Sequence, residues 1–160
     1  MRMTSDSMER ALTDGTEISS PLRILIADDH ALVRGGLGML IKTLHPDTEI
    51  LECNDFNKVT RALESEEPVD LLLIDLMMPG MQSVESIQTI CNTWPDVPVI
   101  VVFVKEEMQL IRQALRAGAS GYIPKSSSPD VTLNAIRLVL SGGIYIPPDA
   151  LEVFLDTFEG

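Results

Sequence analysis

The stretch LLLIDLMMPG, residues 71–80, sets four aliphatic residues in a row and stops them at a carboxylate, Asp75. A run this short and apolar, closed by a Pro79-Gly80 turn signal, predicts a strand covered on both faces. Burying an unpaired charge is costly, so an acid at the end of such a strand must be neutralised, paired or bound to a metal. Fold and function both turn on which of these applies to Asp75.

Working outward, four more short apolar runs predict strands at residues 23–27, 48–53, 99–104 and 121–124, with the third strand at 71–75. Helical patterns fill the gaps. Val33, Leu37, Leu40, Ile41 and Leu44 form one apolar stripe. Phe56, Val59 and Leu63 form a second, and Val84, Ile87, Ile90 and Cys91 a third. Leu110, Ile111, Ala114 and Leu115 mark a fourth helix that should end at Gly118. The fifth should open at SSSPD, with a Ser cap and Pro129 in the first helical position, and run to Gly142-Gly143. Five strands alternating with five helices predict one open α/β sheet, whose ligands bind at the carboxyl ends of the strands near the switch in strand order.

Composition narrows the function classes. The chain has 160 residues, 45% of them hydrophobic, enough for one domain with a real core. Its longest apolar block, residues 97–104, is interrupted by Pro98 and is far too short to span a bilayer. Residues 1–21 lack an apolar signal region and predict a disordered or loosely held leader. The two cysteines, Cys53 and Cys91, lie in apolar periodic segments and predict free thiols, which suits a reducing cytoplasm. A net charge of −12 repels nucleic acid phosphates, so no DNA contact is expected from these residues.

The ends of the strands carry the chemistry. Asp28 and Asp29 follow the first strand, Asp75 the third and Lys125 the fifth, so three carboxylates and one ammonium should converge on one edge of the sheet. Asp70 lies at the other end of the third strand and should start or cap it. Three carboxylates in one cleft repel one another. A hard divalent cation relieves this, and Mg2+ suits a site of a few carboxylates plus water. Lysine then offers itself to an incoming phosphate. Metal, lysine and carboxylate together are equipment for phosphoryl transfer, with Asp75 as nucleophile. Taken singly each residue is weak evidence: an Asp pair after a strand also suits a helix N-cap. His30, next to the pair, could ligate a metal, but Mg2+ prefers oxygen, and packing at the helix start is the plainer expectation.

With ILIADDH, LLLIDLMMPG and ALRAGASGYIPKS in this order, the chain resembles the receiver domain of two-component response regulators over about residues 22–145. DDHALVRGGL, GASGYIPKSSSP and GGIYIPP further resemble receivers that precede a LuxR/NarL-type DNA-binding domain. The resemblance implies a single-domain, flavodoxin-like, doubly wound parallel sheet of order 2-1-3-4-5. It implies that Asp75 accepts a phosphoryl group from a histidine kinase. Asp28, Asp29, Asp75 and the main-chain carbonyl of Met77 would hold Mg2+, and Lys125 would contact the phosphoryl group. Tyr122 matches the family's aromatic switch position; a half-buried strand aromatic is the alternative. Residues 146–160, with Leu151, Phe154, Leu155 and Phe158 on one stripe, would begin a linker to an output domain absent from this chain. A weak homodimer is expected, and no membrane contact.

The fourth strand departs from the family. PVIVVFVKEE puts Phe103 where a switch Ser or Thr belongs and Val104 where a small residue belongs, and no Ser or Thr lies between Trp94 and Ser120. The lost charge-assisted bond is worth about 1.5–3 kcal/mol, comparable to a whole allosteric coupling of about 1–3 kcal/mol. Two bulky residues should crowd the phosphate's approach, and phosphorylation should couple poorly to Tyr122. This motivates a competing function, a degenerate receiver serving as a constitutive interaction or dimerisation module. A metal-dependent phosphatase ranks last, because Met77 leaves no second acid or base beside Asp75. Gln82-Ser83 replaces the family's acidic-Gly pair, and Ser83 would cap the third helix. Gly35, Gly36 and Gly38 in the first helix suggest surface tolerance.

Overall fold

The computed structural model describes residues 21–151. The expected leader, apart from Pro21, and the terminal amphipathic stripe past Leu151 lie outside the described residues. Five strands, β1 (Arg23–Ala27), β2 (Glu49–Cys53), β3 (Leu71–Ile74), β4 (Val99–Phe103) and β5 (Gly121–Pro124), alternate with five helices. The helices are α1 (Ala31–Leu44), α2 (Phe56–Glu64), α3 (Val84–Thr93), α4 (Met108–Arg116) and α5 (Pro129–Leu140). All strand pairs are parallel, and the order is β2-β1-β3-β4-β5, the flavodoxin-like arrangement expected.

Alternate residues of each strand divide the core. Leu25, Leu72, Ile74, Val99, Val101, Phe103 and Tyr122 face α2, α3 and α4, where they meet Val59, Ile87, Ile90 and Ile111. Ile24, Ile26, Leu71, Leu73, Ile100, Val102 and Ile123 face α1 and α5, where they meet Ile41, Ile136 and Val139. This double covering is why the strands read as continuous apolar runs.

Three strand ends are shorter than the sequence suggests. β2 starts at Glu49 rather than residue 48, β4 stops at Phe103 rather than 104, and β3 stops at Ile74. The last difference places Asp75 one step past β3, although its N–H still donates to the Ala27 carbonyl at 2.9 Å. At the opposite end, Asp70 accepts the Arg23 N–H on Oδ2 at 2.8 Å and ties the start of β3 to β1.

The fifth helix opens as its sequence dictates: the Ser128 side chain accepts from the Val131 N–H, with Pro129 first in the helix. The third does not. Ser83 stands before α3 with φ 54° and makes no side-chain capping bond; instead Ser86 Oγ accepts the Gln82 N–H at 2.7 Å. In α1, Gly35 and Gly36 face open space, as tolerance predicts, whereas Gly38 is buried, and a Cβ there would meet Ile50 on the sheet at 3.6 Å. Beyond α5 the chain returns to β5. Tyr145 donates to the Ser120 carbonyl and accepts from the Tyr122 N–H, and Ile146 and Ala150 pack into the α3–α4 face. The packed core thus runs five residues past Tyr145, where the sequence pattern suggests a linker.

Candidate functional site

The strand order reverses between β1 and β3, and the crevice there opens at their carboxyl ends. Asp28 and Asp29 enter it from β1 and Asp75 from β3, while Lys125 reaches in from the end of β5. Ligand atoms of Asp28, Asp29, His30 and Asp75 all lie within 4.8 Å of one another. The sequence-predicted quartet is therefore one cluster, with His30 added to it.

The arrangement explains how a charge survives at the end of β3. Asp75 is buried, and its Oδ1 accepts the Met77 N–H at 2.8 Å. Its Oδ2 meets Lys125 Nζ at 2.5 Å, and the same ammonium lies 2.7 Å from Asp28 Oδ2. One lysine thus holds two buried carboxylates together. Burial pushes the Asp75 carboxyl above its ordinary range, and the bonds from Lys125 and the Met77 N–H only partly offset it. Burial acts on Asp28 in the same sense, but bonds from Lys125 and the His30 N–H outweigh it and hold that carboxyl low. Burial also works against the Lys125 ammonium; its two carboxylates outweigh burial and raise its pKa.

His30, weighed above as a ligand, joins the cluster, and Arg34 escapes a reading of the sequence alone. The His30 ring is 68% exposed, with Nδ1 3.1 Å from both Asp28 Oδ1 and Asp29 Oδ1, so it is not packed at the helix start as expected. Its N–H also donates to Asp28 Oδ1 at 2.8 Å, the local turn that lets α1 begin there. Arg34 donates from Nη1 to the Asp28 carbonyl at 2.6 Å while its Nε meets Glu52 at 2.9 Å. The adjacency of His30 to the acid pair was visible; the reach of Arg34 depends on the β1–β2 register. A cleft lined by Asp29, Met77, Met81, Gln82 and Ser83 opens beside the carboxylates.

At the far side, Phe103 is buried in the α2–α4 core and Val104 is 64% exposed. The two bulky residues therefore part: one faces the core, the other solvent. Tyr122 is fully buried rather than half-buried, and its hydroxyl donates to the Lys105 carbonyl at 2.6 Å. Burial, then Glu107, Glu106 and Asp75, push its phenol pKa well above the ordinary value, so it remains a donor. The three carboxylates of the cluster, beside the His30 ring, are hard oxygen donors and fit a small divalent cation.

A profile of the response regulator receiver domain matches residues 24–137, and the chain belongs to that family. Among similar proteins, the glycerol metabolism activator of Pseudomonas putida is 36% identical over 130 residues, covering 81% of this chain and 59% of its own. The response regulator UvrY of Escherichia coli is 34% identical over 134 residues, covering 82% and 60%. The chain spans about three fifths of the length of these curated relatives. A LuxR family DNA-binding response regulator from Silicibacter pomeroyi superposes with a TM-score of 0.70 at 30% identity, over 81% of this chain and 98% of that one. A two-component response regulator of the LuxR family from Aurantimonas gives a TM-score of 0.75 at 28% identity, over 88% and 100%. The resemblance to LuxR-type receivers thus holds, and the relatives are signalling regulators. Among the described residues, no helix is long and apolar enough to cross a membrane.

Proposed function

We propose that this domain is a phosphoacceptor in a two-component system, with Asp75 receiving the phosphoryl group from a phosphohistidine of a histidine kinase. The observation that carries the reading is the Asp75 carboxylate itself: buried, fixed on one oxygen by the Met77 N–H, and faced on the other by Lys125. An Asp75 oxygen forms a new bond to phosphorus as the phosphorus–nitrogen bond of the donor breaks, and the electron pair leaves with the imidazole. Lys125, already beside Asp75, neutralises charge on the phosphoryl oxygens. Asp28, Asp29, Asp75 and the Met77 carbonyl would hold Mg2+, which supplies further charge neutralisation to the transferring group. The Met77 N–H and Lys125 keep the nucleophile aimed, which converts collision into positioning.

Output is proposed to be transcriptional, through a DNA-binding domain outside this chain, with a weak homodimer as the assembly and the cytoplasm as the compartment. These residues carry too much negative charge to grip DNA themselves. Phe103 in place of a hydroxyl favours a second reading, a degenerate receiver used as a constitutive interaction module. Intact mass after incubation with Mg2+ and a small acyl-phosphate donor separates the two. A phosphoryl adduct on the wild type, absent from Asp75→Asn and from samples with chelator, is the expected result. No adduct on a folded wild type would favour the degenerate module.

A further inference from the structure

Among the described residues, the end of β4 takes its hydrogen bonds from β5. The Phe103 carbonyl accepts the Lys125 N–H at 2.7 Å, and the Lys105 carbonyl accepts the Tyr122 hydroxyl at 2.6 Å. Phe103 and Tyr122 lie on adjacent strands of the same sheet face, where Tyr122 pairs with Val101 and Phe103 with Pro124, and both are buried in one apolar cluster. Asp75, by contrast, accepts from Met77 and Lys125 and donates to Ala27 of β1; among the described residues no hydrogen bond joins it to β4.

A modification shifts an equilibrium only by the difference in its interactions with the two states. A phosphoryl group on Asp75 meets no donor side chain from β4, because Phe103 offers none and Val104 has only methyl groups. The loop at residues 104–107 already has its anchor, a buried phenol bonded to its backbone. Moving Tyr122 outward would break that bond and open a void in the apolar cluster that buries it, with nothing at Asp75 to offset the loss.

We infer that Tyr122 and Phe103 lock the β4–α4 loop in one position whatever the state of Asp75, so that the surface this loop offers a partner is set on folding. The inference rests on the acceptor reading and adds that acceptance and relay are separate in this chain. The exposed signal is then a fixed one, Val104 with the charged run Lys105, Glu106 and Glu107.

Backbone amide shifts of the full chain, labelled with 15N, test this on titration with Mg2+ and beryllium fluoride, a mimic of the phosphoryl group. In the wild type, the amides of residues 28–30, 75–78 and 125 should shift on binding, while those of 104–107 and 122 move several-fold less. Phe103→Thr, which supplies a hydroxyl, should bring the loop amides into the response. Tyr122→Phe keeps the ring but frees the Lys105 carbonyl, and should make the loop amides broaden or respond even if Phe103→Thr fails to fold. Loop shifts in the wild type as large as those around Asp75 would overturn the lock and leave the acceptor intact. Unresponsive loops in both variants would overturn the assigned roles of Phe103 and Tyr122. An absence of shifts around Asp75 would overturn the acceptor reading, and the inference with it.

Discussion

Ser83 holds φ 54° and ψ −133° at the entry to α3, a region that a side chain disfavours and glycine accepts. Its side chain makes no capping bond there that would repay the conformation. Ser83→Gly should therefore stabilise the fold by about 1 kcal/mol. The measurement is a urea titration, in which the midpoint should rise with the slope unchanged. At Lys125 the expectation is opposite. Lys125→Ala leaves Asp28 and Asp75 buried without the ammonium they share, and should cost about 1–3 kcal/mol. Millimolar Mg2+ should recover part of that loss, read as a rise in melting temperature absent with chelator. Single residues also mark where sequence stops informing. Asp28, Asp29, Asp75 and Lys125 were legible because each ends an apolar run. Ser83 was misread as a cap because residue type does not report a positive φ. The burial of Tyr122 was not legible, since a tyrosine suits either side of a strand end and only the Lys105 carbonyl decides.

At the scale of elements, glycines separate turn duty from tolerance. Gly118 closes α4 at φ 113°, and a Cβ there would lie 2.8 Å from Cys91 Cβ on α3. Gly118→Ala should destabilise by about 1–3 kcal/mol from backbone strain alone, with the clash added, while Gly35→Ala and Gly36→Ala should each stabilise α1 by about 0.5–1 kcal/mol. Thermal unfolding of the three variants checks both signs in one experiment. Elements were most legible where local chemistry and burial agree. β5 and the start of α5 match the sequence reading because GYIP is wholly apolar and Ser128-Pro129 is a strong helix opening. β3 was drawn one residue long because Asp75 keeps its ladder hydrogen bond after the strand geometry has ended. Gly38 looked like its neighbours in sequence; only the approach of Ile50 distinguishes it.

For the whole molecule, the packing past Tyr145 sets the minimal folded length. Ile146 and Ala150 fill the α3–α4 face, so a chain ending at residue 145 should be less stable than one ending at 151 by about 1–3 kcal/mol. Equal denaturation midpoints for the two chains would show that this segment contributes nothing. The strand order was legible only through resemblance, because alternation dictates a parallel sheet without dictating which strands are neighbours. The bridge between Gly121 and Tyr145 has one more effect. An open sheet has two bare borders, each a template on which foreign strands can grow into aggregates. Tyr145 blunts the β5 border along Ser120 and Tyr122, which leaves β2 as the open one among the described residues. That border carries the exposed Glu49 and Glu52, so this address for fibril-like growth is guarded by charge.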